Sequence, residues 1–414
     1  MKTSLYDPAS QVTPVLHQVQ ATSAQVNKAE YLYNGVGNRT SLTDRRGSQT
    51  FGYDNLDRLT SASHPLLGTA QSFTYDPVGN RTTAGNVTNA GNQLTADATH
   101  SYQYDDNGNL TRKTLLATGN YTQYTYDAEN RLTKVEEYVA GNPTAAFTST
   151  YRYDGLGRRI EKVANGQTKR YVYDGEDILL EYDGSNVLQA RYTHGPGIDE
   201  PIAVTKGGNT FFYHQDGLSS VTDLTDSAGA TAKSYSYDAY GNILESPGTV
   251  EQPYTYTGRE FDSESGLYYY RARYYDPSTG RFLQKDPIGF AGGDLTLYQY
   301  VSNNPPNWND SSGTGPLGTA GAIACGLYDI YDALNTAKEL RDLADEIHRI
   351  SEQIKVLEEI CASGQGSDED FERLRKLRLE GLNKINEFNR RQLVGYLPNI
   401  AIGFGCLALA ASPF

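Results

Sequence analysis

Short stretches in which apolar and polar residues alternate fill the first three quarters of the chain. Tyr124-Thr125-Tyr126 is one example, and comparable stretches end at tyrosines that return at a nearly regular spacing. From Tyr33 to Tyr173 the steps between these tyrosines are 20, 22, 29, 22, 27 and 20 residues. Alternation with a period of two is typical of a half-buried β-strand. The regular return predicts an array of repeated units that pack on their neighbours.

A turn signature closes each of these strands. Tyr-Asp, or a near variant, is followed by Gly-Asn or a similar pair and then by the start of a new strand, as in residues 33–40, 75–82, 104–111 and 126–133. An aspartate can begin a turn because its carboxylate bonds the backbone N–H groups just ahead. We expect Gly-Asn to supply the positive φ angles of a tight hairpin. The units are therefore predicted to be antiparallel β-hairpins whose Tyr-Asp pairs are architectural, each too small to be stable alone.

The pattern changes from period two to a helical period after Gly313. Apolar residues then step by three and four, at Leu340, Leu343, Ile347, Ile350, Ile354 and Leu357. This spacing predicts a helix with one apolar seam. Ser367 is expected to cap a second helix, with Asp368, Glu369 and Asp370 favourable in its first turn. The two helices together predict an antiparallel helical hairpin.

Two uncharged apolar stretches flank the predicted helical hairpin, at residues 315–328 and 393–412. Their lengths approach the roughly 20 apolar residues that a membrane-spanning helix needs. Three interpretations stay open: the stretches insert into a membrane, they pair within a soluble four-helix core, or they pack on the inner wall of a shell built by the hairpins.

The composition of the chain limits which ligands and partners we expect it to bind. The chain has 414 residues, including 33 Tyr, 12 Phe and 41 Gly, and a net charge of −14. Tyrosine suits sheets with half-wet faces, and the acidity gives no basic footprint, so we expect no nucleic-acid partner. Cys325, Cys361 and Cys406 form no metal-binding or disulfide pattern, so we expect neither a metal nor a cofactor. The first residues lack the apolar stretch of a signal peptide, so we expect no signal peptide.

A block of sequence near the end of the array carries a family resemblance. It reads GLYYYRARYYDPSTGRF at residues 266–282 and is followed by Asp286-Pro287-Ile288-Gly289. Together with the repeats, it resembles the RHS/YD-repeat family and its RHS-associated core module. The resemblance implies hairpins that spiral into a hollow shell and a variable, often toxic, C-terminal region. It also implies release of that region by self-cleavage, secretion or delivery by a dedicated system or toxin-complex carrier, and an immunity protein as a partner.

The resemblance also points to two aspartates. The family's self-cleaving site takes one aspartate from each of two Asp-Pro-x-Gly motifs, which implies Asp286 and Asp310 here. Asp286 matches its motif fully, whereas Asp310 is followed by Ser311 in place of Pro and Thr314 in place of Leu. The implied cleaved bond joins Thr314 and Gly315. Two neighbouring carboxyls are expected to share a proton, so that one activates water while the other protonates the peptide. Alternatively, both aspartates only begin turns.

We therefore predict a mainly β chain, a partial shell of spiralling antiparallel hairpins followed by a small all-α region. The expected segments are a lead-in or fragment boundary (1–30), the hairpin array (31–194), the core module (195–314) and the helical C-terminal region (315–414). The expected function is that of a bacterial RHS-type toxin, or a fragment of one, whose module is a self-cleaving aspartic endopeptidase. The alternative is a structural or surface-interaction protein that binds carbohydrate or a protein partner.

Overall fold

The computed structural model describes residues 1–315 and part of the C-terminal region, namely residues 346, 349–351, 353–357, 367, 369–370, 372–378, 380–381 and 384. The chain forms two compact units, Met1–Gly318 and Thr319–Phe414. The three cysteines and the predicted apolar stretches, apart from Gly315, lie outside the described residues.

Antiparallel β-hairpins build the first unit, and within each sheet every strand pairs with the next along the chain. Strands β1–β7 form one sheet in sequence order: Lys2–Tyr6, Val12–Gln18, Gln25–Tyr33, Arg39–Asp44, Gly47–Tyr53, Leu59–Ser63 and Gln71–Ser72. A second sheet holds β8–β22: Val87–Thr88, Leu94–Ala96, His100–Tyr104, Leu110–Leu115, Tyr121–Tyr126, Leu132–Tyr138, Phe147–Tyr153, Arg159–Ala164, Gln167–Asp174, Asp177–Asp183, Leu188–His194, Pro201–Lys206, Asn209–Gln215, Val221–Thr225 and Thr231–Ser234.

Two small sheets complete the described strands. One pairs β23 and β24, Ser236–Tyr237 and Ile243–Glu245, and the other orders β25–β28 as Glu260–Asp262, Leu267–Tyr270, Arg273–Asp276 and Arg281–Phe282. Short 3₁₀ turns lie at Thr83–Gly85, Tyr256–Gly258, Gly289–Gly292 and Val301–Asn303. The predicted fold class, mainly β with helices near the C-terminus, is confirmed.

The turn aspartates make the bonds that the sequence predicts. In the turn after β14, Asp154 Oδ1 accepts the N–H groups of Leu156 (2.9 Å) and Arg158 (3.0 Å). The prediction that both residues of the Gly-Asn pair have positive φ angles was wrong for the asparagine. Gly79 has a φ of +96°, but Asn80 is not among the residues with positive φ. Instead, the Asn80 side chain donates to Asp76 Oδ2 at 2.9 Å, so the asparagine caps the carboxylate.

The tyrosines before the turns form a ladder of hydrogen bonds. Each of these phenol groups donates to the backbone carbonyl of the first residue of an earlier strand, at 2.5–2.9 Å. The ladder pairs are Tyr33 with Val12, Tyr53 with Arg39, Tyr75 with Leu59, Tyr126 with Leu110, Tyr153 with Leu132, Tyr173 with Arg159 and Tyr237 with Val221. A ring that packs while its hydroxyl bonds the backbone explains why tyrosine outnumbers phenylalanine.

The chain winds back on itself within the first unit, because its first strands contact strands about 200 residues later. The rings of His17 on β2 and His214 on β20 pack edge to face, with centroids 4.8 Å apart. His17 Nε2 also lies 2.8 Å from the carbonyl oxygen of Gln215. On β3, Asn27 donates to Thr222 Oγ1 at 2.6 Å. This seam joins the first sheet to the end of the second.

A buried charge network ties the hairpin array to the segment that follows it. Arg159, 1% exposed, contacts Glu260 at 2.8 Å and also pairs with Asp262, while Lys162 reaches Asp262 at 2.7 Å. Burial would raise the pKa of Asp262, but the two cations hold it below its usual value. Aromatic rings of β26–β28 pack beside this network and fill the neighbouring core.

The second unit contains the predicted helical hairpin as far as its residues are described. Helical positions run between 346 and 357 and between 369 and 384. Glu346 and Lys384 form an ion pair at 3.0 Å, as expected for antiparallel helices. Ser367 caps the second helix: its Oγ accepts the Asp370 N–H at 3.3 Å, while Asp370 Oδ2 accepts the Ser367 N–H at 2.8 Å. Among the described residues, no helix has the length and apolar character needed to cross a membrane.

Candidate functional site

Arg273, at the start of β27, is the centre of a buried polar cluster. Its side chain is 1% exposed, and its guanidinium stacks on the Phe282 ring at 3.6 Å. Nε donates to the carbonyl of Gly313, and Nη1 donates to that of Leu297 at 3.0 Å. These bonds fix the guanidinium in one orientation, so that Nη2 faces the two candidate aspartates.

Asp286 follows β28 and is held by backbone bonds on both sides. Its N–H donates to the Leu297 carbonyl at 2.8 Å, and its Oδ1 accepts the N–H of Ile288 at 3.0 Å. Its Oδ2 lies 3.0 Å from Arg273 Nη2. Burial raises the pKa of the Asp286 carboxyl, an effect that Arg273 and the Ile288 N–H oppose and that the nearby Asp310 reinforces.

Asp310 occupies the turn before the predicted cleavage point and is 1% exposed. Its Oδ1 accepts the N–H of Thr314 at 3.0 Å. Its Oδ2 lies 3.3 Å from Arg273 Nη2 and accepts the N–H of Gly315 at 2.8 Å. One guanidinium nitrogen therefore contacts both carboxylates. The sequence led us to expect a pair that shares a proton directly, whereas the structure shows a cation bridging the pair.

The peptide bond between Thr314 and Gly315 lies against both aspartates. Its N–H is bonded to Asp310, as described above. Its carbonyl oxygen borders a small space above Gly292, where a β-carbon on that glycine would lie 3.0 Å from Thr314 O and 2.8 Å from Asp286 Oδ2. Asp286 Oδ2 and the Thr314 carbonyl oxygen thus border the same space at Gly292, while Asp310 holds the nitrogen side of the bond. Gly315, with a φ of +92°, also passes close to the Gly292 carbonyl.

A third carboxyl lies near this cluster. Asp294 Oδ1 accepts a hydrogen bond from the Ser302 hydroxyl at 2.7 Å. Burial raises the pKa of Asp294 to about 6, against the effects of Ser302 and Arg273. Burial lowers the pKa of Arg273, although Asp310, Asp286 and Asp294 oppose that change. Among the described residues, no group of His, Cys, Asp and Glu side chains is arranged to hold a metal ion.

The structure brings all four predicted site residues, Asp286, Asp310, Thr314 and Gly315, into one place. Their chemical role stays a prediction. Sequence reasoning missed Arg273, Gly292 and Asp294. Arg273 was within reach, because it lies in the residue block that carried the family resemblance. Nothing in the sequence separates Gly292 from the other glycines of the chain.

Solved structures share the fold of the first unit. One is titled as TcdB2-TccC3-Cdc42, with a TM-score of 0.54 and 19% identity over 77% of this chain and 18% of that one. Another is the Tc holotoxin pore of Photorhabdus luminescens, with a TM-score of 0.53 and 20% identity over 76% of this chain and 18% of that one. At this identity the likeness shows the fold alone.

Curated relatives include named toxins and nucleases. The tRNA3(Ser)-specific nuclease WapA of Bacillus spizizenii is 38% identical over 61% of this chain and 11% of its own length. Double-stranded DNA deaminase toxin A of Burkholderia cenocepacia is 32% identical over 72% of this chain and 23% of its own. Toxin protein Tse5 of Pseudomonas aeruginosa is 27% identical over 71% of this chain and 27% of its own.

The chain spans between 11% and 27% of the length of these three relatives. Two of them are named for acting on tRNA or DNA, so the comparisons do not support our expectation that nucleic acid is excluded as a partner. The family itself is shown by a wider match. Residues 4–306 match the family model named Teneurin YD-shell. The hairpin array, its Tyr-Asp turns and the relatives agree with that match, and the chain belongs to the YD-shell family of RHS-repeat proteins.

Proposed function

We propose that this chain is part of an RHS-type toxin whose module at 195–314 hydrolyses its own backbone between Thr314 and Gly315. The observation that carries the proposal is that Asp310 accepts the N–H of that peptide bond, while Asp286 Oδ2 and the carbonyl oxygen of the bond border the same space at Gly292. The released segment, 315–414, would be the effector, and the array at 31–194 with its lead-in at 1–30 would contribute to the shell that presents it. The named toxins among the relatives favour this function over a purely structural or carbohydrate-binding one.

The chemistry follows from which atom faces which carboxyl. Burial favours the protonated form of Asp286, which can donate to the Thr314 carbonyl oxygen and make its carbon more electrophilic. Ionised Asp310 can take a proton from water as the water oxygen bonds that carbon. The same carboxyl then gives the proton to the Gly315 nitrogen, to which it is already hydrogen-bonded. The C–N bond breaks, leaving a carboxylate on Thr314 and an amino group on Gly315.

Arg273 supports this chemistry without taking part in proton transfer. Two carboxylates close together repel each other, and a cation within hydrogen-bond reach of both allows them to stay close in a buried site. Its bond to the Gly313 carbonyl also holds the backbone just before the cleaved bond. The guanidinium therefore positions the two acids and the substrate peptide together.

Expression of the whole chain tests the proposal. We expect two fragments, with mass spectrometry placing a new N-terminus at Gly315. Asp286→Asn and Asp310→Asn should each leave the chain intact. Asp154→Asn is the matched control, because Asp154 begins an equivalent turn in the array and lies away from the site. A wild-type chain that stays intact, or an Asp310→Asn chain that is cleaved as fast as wild type, would refute the proposal.

The fate of the released segment is a separate part of the proposal. An RHS-type toxin would need a delivery system or toxin-complex carrier and an immunity protein that neutralises residues 315–414. The membrane version of the effector function depends on residues 315–328 and 393–412, and leakage of lipid vesicles by the released segment would test it. Vesicles that stay sealed, with growth still inhibited, would point to a target other than the membrane.

A further inference from the structure

In six repeat turns of the described chain, the second oxygen of the aspartate lies under a side-chain cap. The turns of Asp216 and Asp226 have Ser220 and Ala230 at the capping position and only the backbone bonds to Oδ1. In Asp154, Oδ1 accepts backbone N–H groups, while Oδ2 accepts the side chain four residues later, Arg158 Nε, at 2.7 Å. Five further turns of the described chain have the same cap at 2.7–2.9 Å. The capped pairs there are Asp54 with Arg58, Asp76 with Asn80, Asp105 with Asn109, Asp127 with Arg131 and Asp238 with Asn242.

The turn at Asp310 is built on the same plan. It has a glycine three residues on, Gly313, with a φ of +72°, as Gly79 has in the turn of Asp76. The residue four positions on, Thr314, donates its N–H to Oδ1 at 3.0 Å, as Asn80 does to Asp76 at 2.8 Å. The cleavage turn thus shares the aspartate, the glycine and one Oδ1 bond of a repeat turn. The two backbone bonds that close the Asp76 turn, from Asp76 N–H to Asn80 O and from Gly79 N–H to Asp76 O, have no counterpart among the described bonds of the Asp310 turn.

The difference lies at the fifth residue of the turn. Thr314 is too short to cap Oδ2, and its hydroxyl bonds the Ser312 hydroxyl at 2.7 Å instead. Asp310 Oδ2 therefore has no cap from its own turn, and it accepts the Gly315 N–H at 2.8 Å and Arg273 Nη2 at 3.3 Å. A long amide or guanidinium side chain at this position would donate to the oxygen that now accepts the N–H of the scissile bond.

We propose that Thr314 is a positioning residue, and that the cleavage site is a turn related to the repeat turns in which the missing side-chain cap leaves Asp310 Oδ2 open to the Gly315 N–H. The inference rests on the proposed function, because it explains how the Gly315 nitrogen comes within reach of Asp310. On this inference, the side chain at the fifth position decides whether a turn is only structural or can cleave itself. It does so only where Asp286 and Arg273 are also present.

Two substitutions of Thr314 distinguish the effect of a side-chain cap from the effect of a larger side chain. Thr314→Asn introduces the cap that Asn80 and Asn109 supply in the array, and Thr314→Val keeps the shape of threonine without a donor. We expect Thr314→Asn to cleave at least about tenfold more slowly than Thr314→Val, since one competing hydrogen bond is worth roughly that factor. Thermal unfolding by circular dichroism confirms that both variants are folded.

Amide hydrogen exchange tests the bond itself without requiring cleavage. In the uncleaved Asp286→Asn background, the Gly315 amide should exchange at least about tenfold faster with Asn at position 314 than with Val, because the asparagine takes its acceptor. Pro316 has no N–H, so in a proteolytic peptide that ends at Pro316 the Gly315 amide is the last one that can exchange. Few other amides then contribute to the signal. This measurement also decides the outcome if Thr314→Asn is poorly folded.

The outcomes separate the two proposals. Cleavage of wild type and Thr314→Val, with slow cleavage of Thr314→Asn and faster Gly315 exchange, supports the inference. Equal cleavage of all three chains, or equal loss in both variants, overturns it and leaves the proposed function standing. An intact wild-type chain overturns the proposed function, and equal Gly315 exchange in the two variants then overturns the inference as well.

Discussion

The hairpin array and the core module use the same residue types in different surroundings. In the array, the tyrosines before the turns, such as Tyr153, are half-buried, and turn arginines such as Arg158 pair with an aspartate four residues away in sequence. In the module, Tyr268, Tyr270 and Tyr275 are fully buried. Arginine there meets partners far along the chain, as Arg273 does with Asp310. The array is stabilised by contacts that recur within each unit, and the module by contacts that occur once.

The largest expected difference concerns two adjacent arginines of the array: Arg158 pairs within its own turn, and Arg159 pairs with the module. Arg159→Met removes the ion-pair partner of buried Glu260 and one of the two cations that contact Asp262, so the free energy of unfolding should fall by about 3–5 kcal/mol. Arg158→Met removes a partly exposed pair with Asp154 and should cost no more than about 1 kcal/mol. Urea denaturation of the two variants measures both values. Equal losses would show that the array depends on its charges as much as the module does.

Gly292→Ala tests the site without touching an ionisable group. The added methyl would lie between Asp286 Oδ2 and the Thr314 carbonyl, so we expect self-cleavage to slow by about 100-fold, the usual cost of misplacing reacting groups by roughly 1 Å. Gly155→Ala is the matched control, because a β-carbon there meets no atom within 4 Å. Fragment formation followed on gels gives both rates. Unchanged cleavage in Gly292→Ala would contradict the proposed role of Asp286 at the Thr314 carbonyl.

The smallest expected effect belongs to the seam between the first strands and the module. Burial lowers the pKa of His17 to about 4 and that of His214 to about 3, and Lys2 and the N-terminus add to the effect at His17. The unfolded chain therefore binds protons more tightly than the folded one, so stability is complete above pH 6.5 and falls as the pH drops toward 4. We expect a loss of about 1–2 kcal/mol between pH 7 and pH 6, where the two imidazoles of the unfolded chain begin to bind protons.

The double variant His17→Gln/His214→Gln is the control for this seam. Its unfolding free energy, measured from pH 7 to pH 4, should fall less steeply than that of wild type, because no imidazole remains at the contact. Parallel curves for the two proteins would assign the acid sensitivity to the buried carboxylates instead.

What the sequence could predict follows the same division. The Tyr-Asp turns were predictable because Asp154 bonds residues two and four positions ahead, well within one motif. The bridge from Arg273 to Asp286 and Asp310 was not, because it depends on how segments 13 and 37 residues apart come together. The aspartates themselves were found through the family resemblance. Asn80, which caps the Asp76 carboxylate, shows that a correct turn prediction can still assign the wrong role to one residue.

The tyrosine ladder has a consequence for how such chains change over generations. Each rung joins one phenol to the strand start beside it, so the bonds of one hairpin do not depend on hairpins further away. Whole units can therefore be gained or lost by recombination while every remaining rung keeps its partner. The array is in this sense a part of variable length, except at Arg159, which pairs with the module. That pair, and Arg273 with its partners, must be inherited intact.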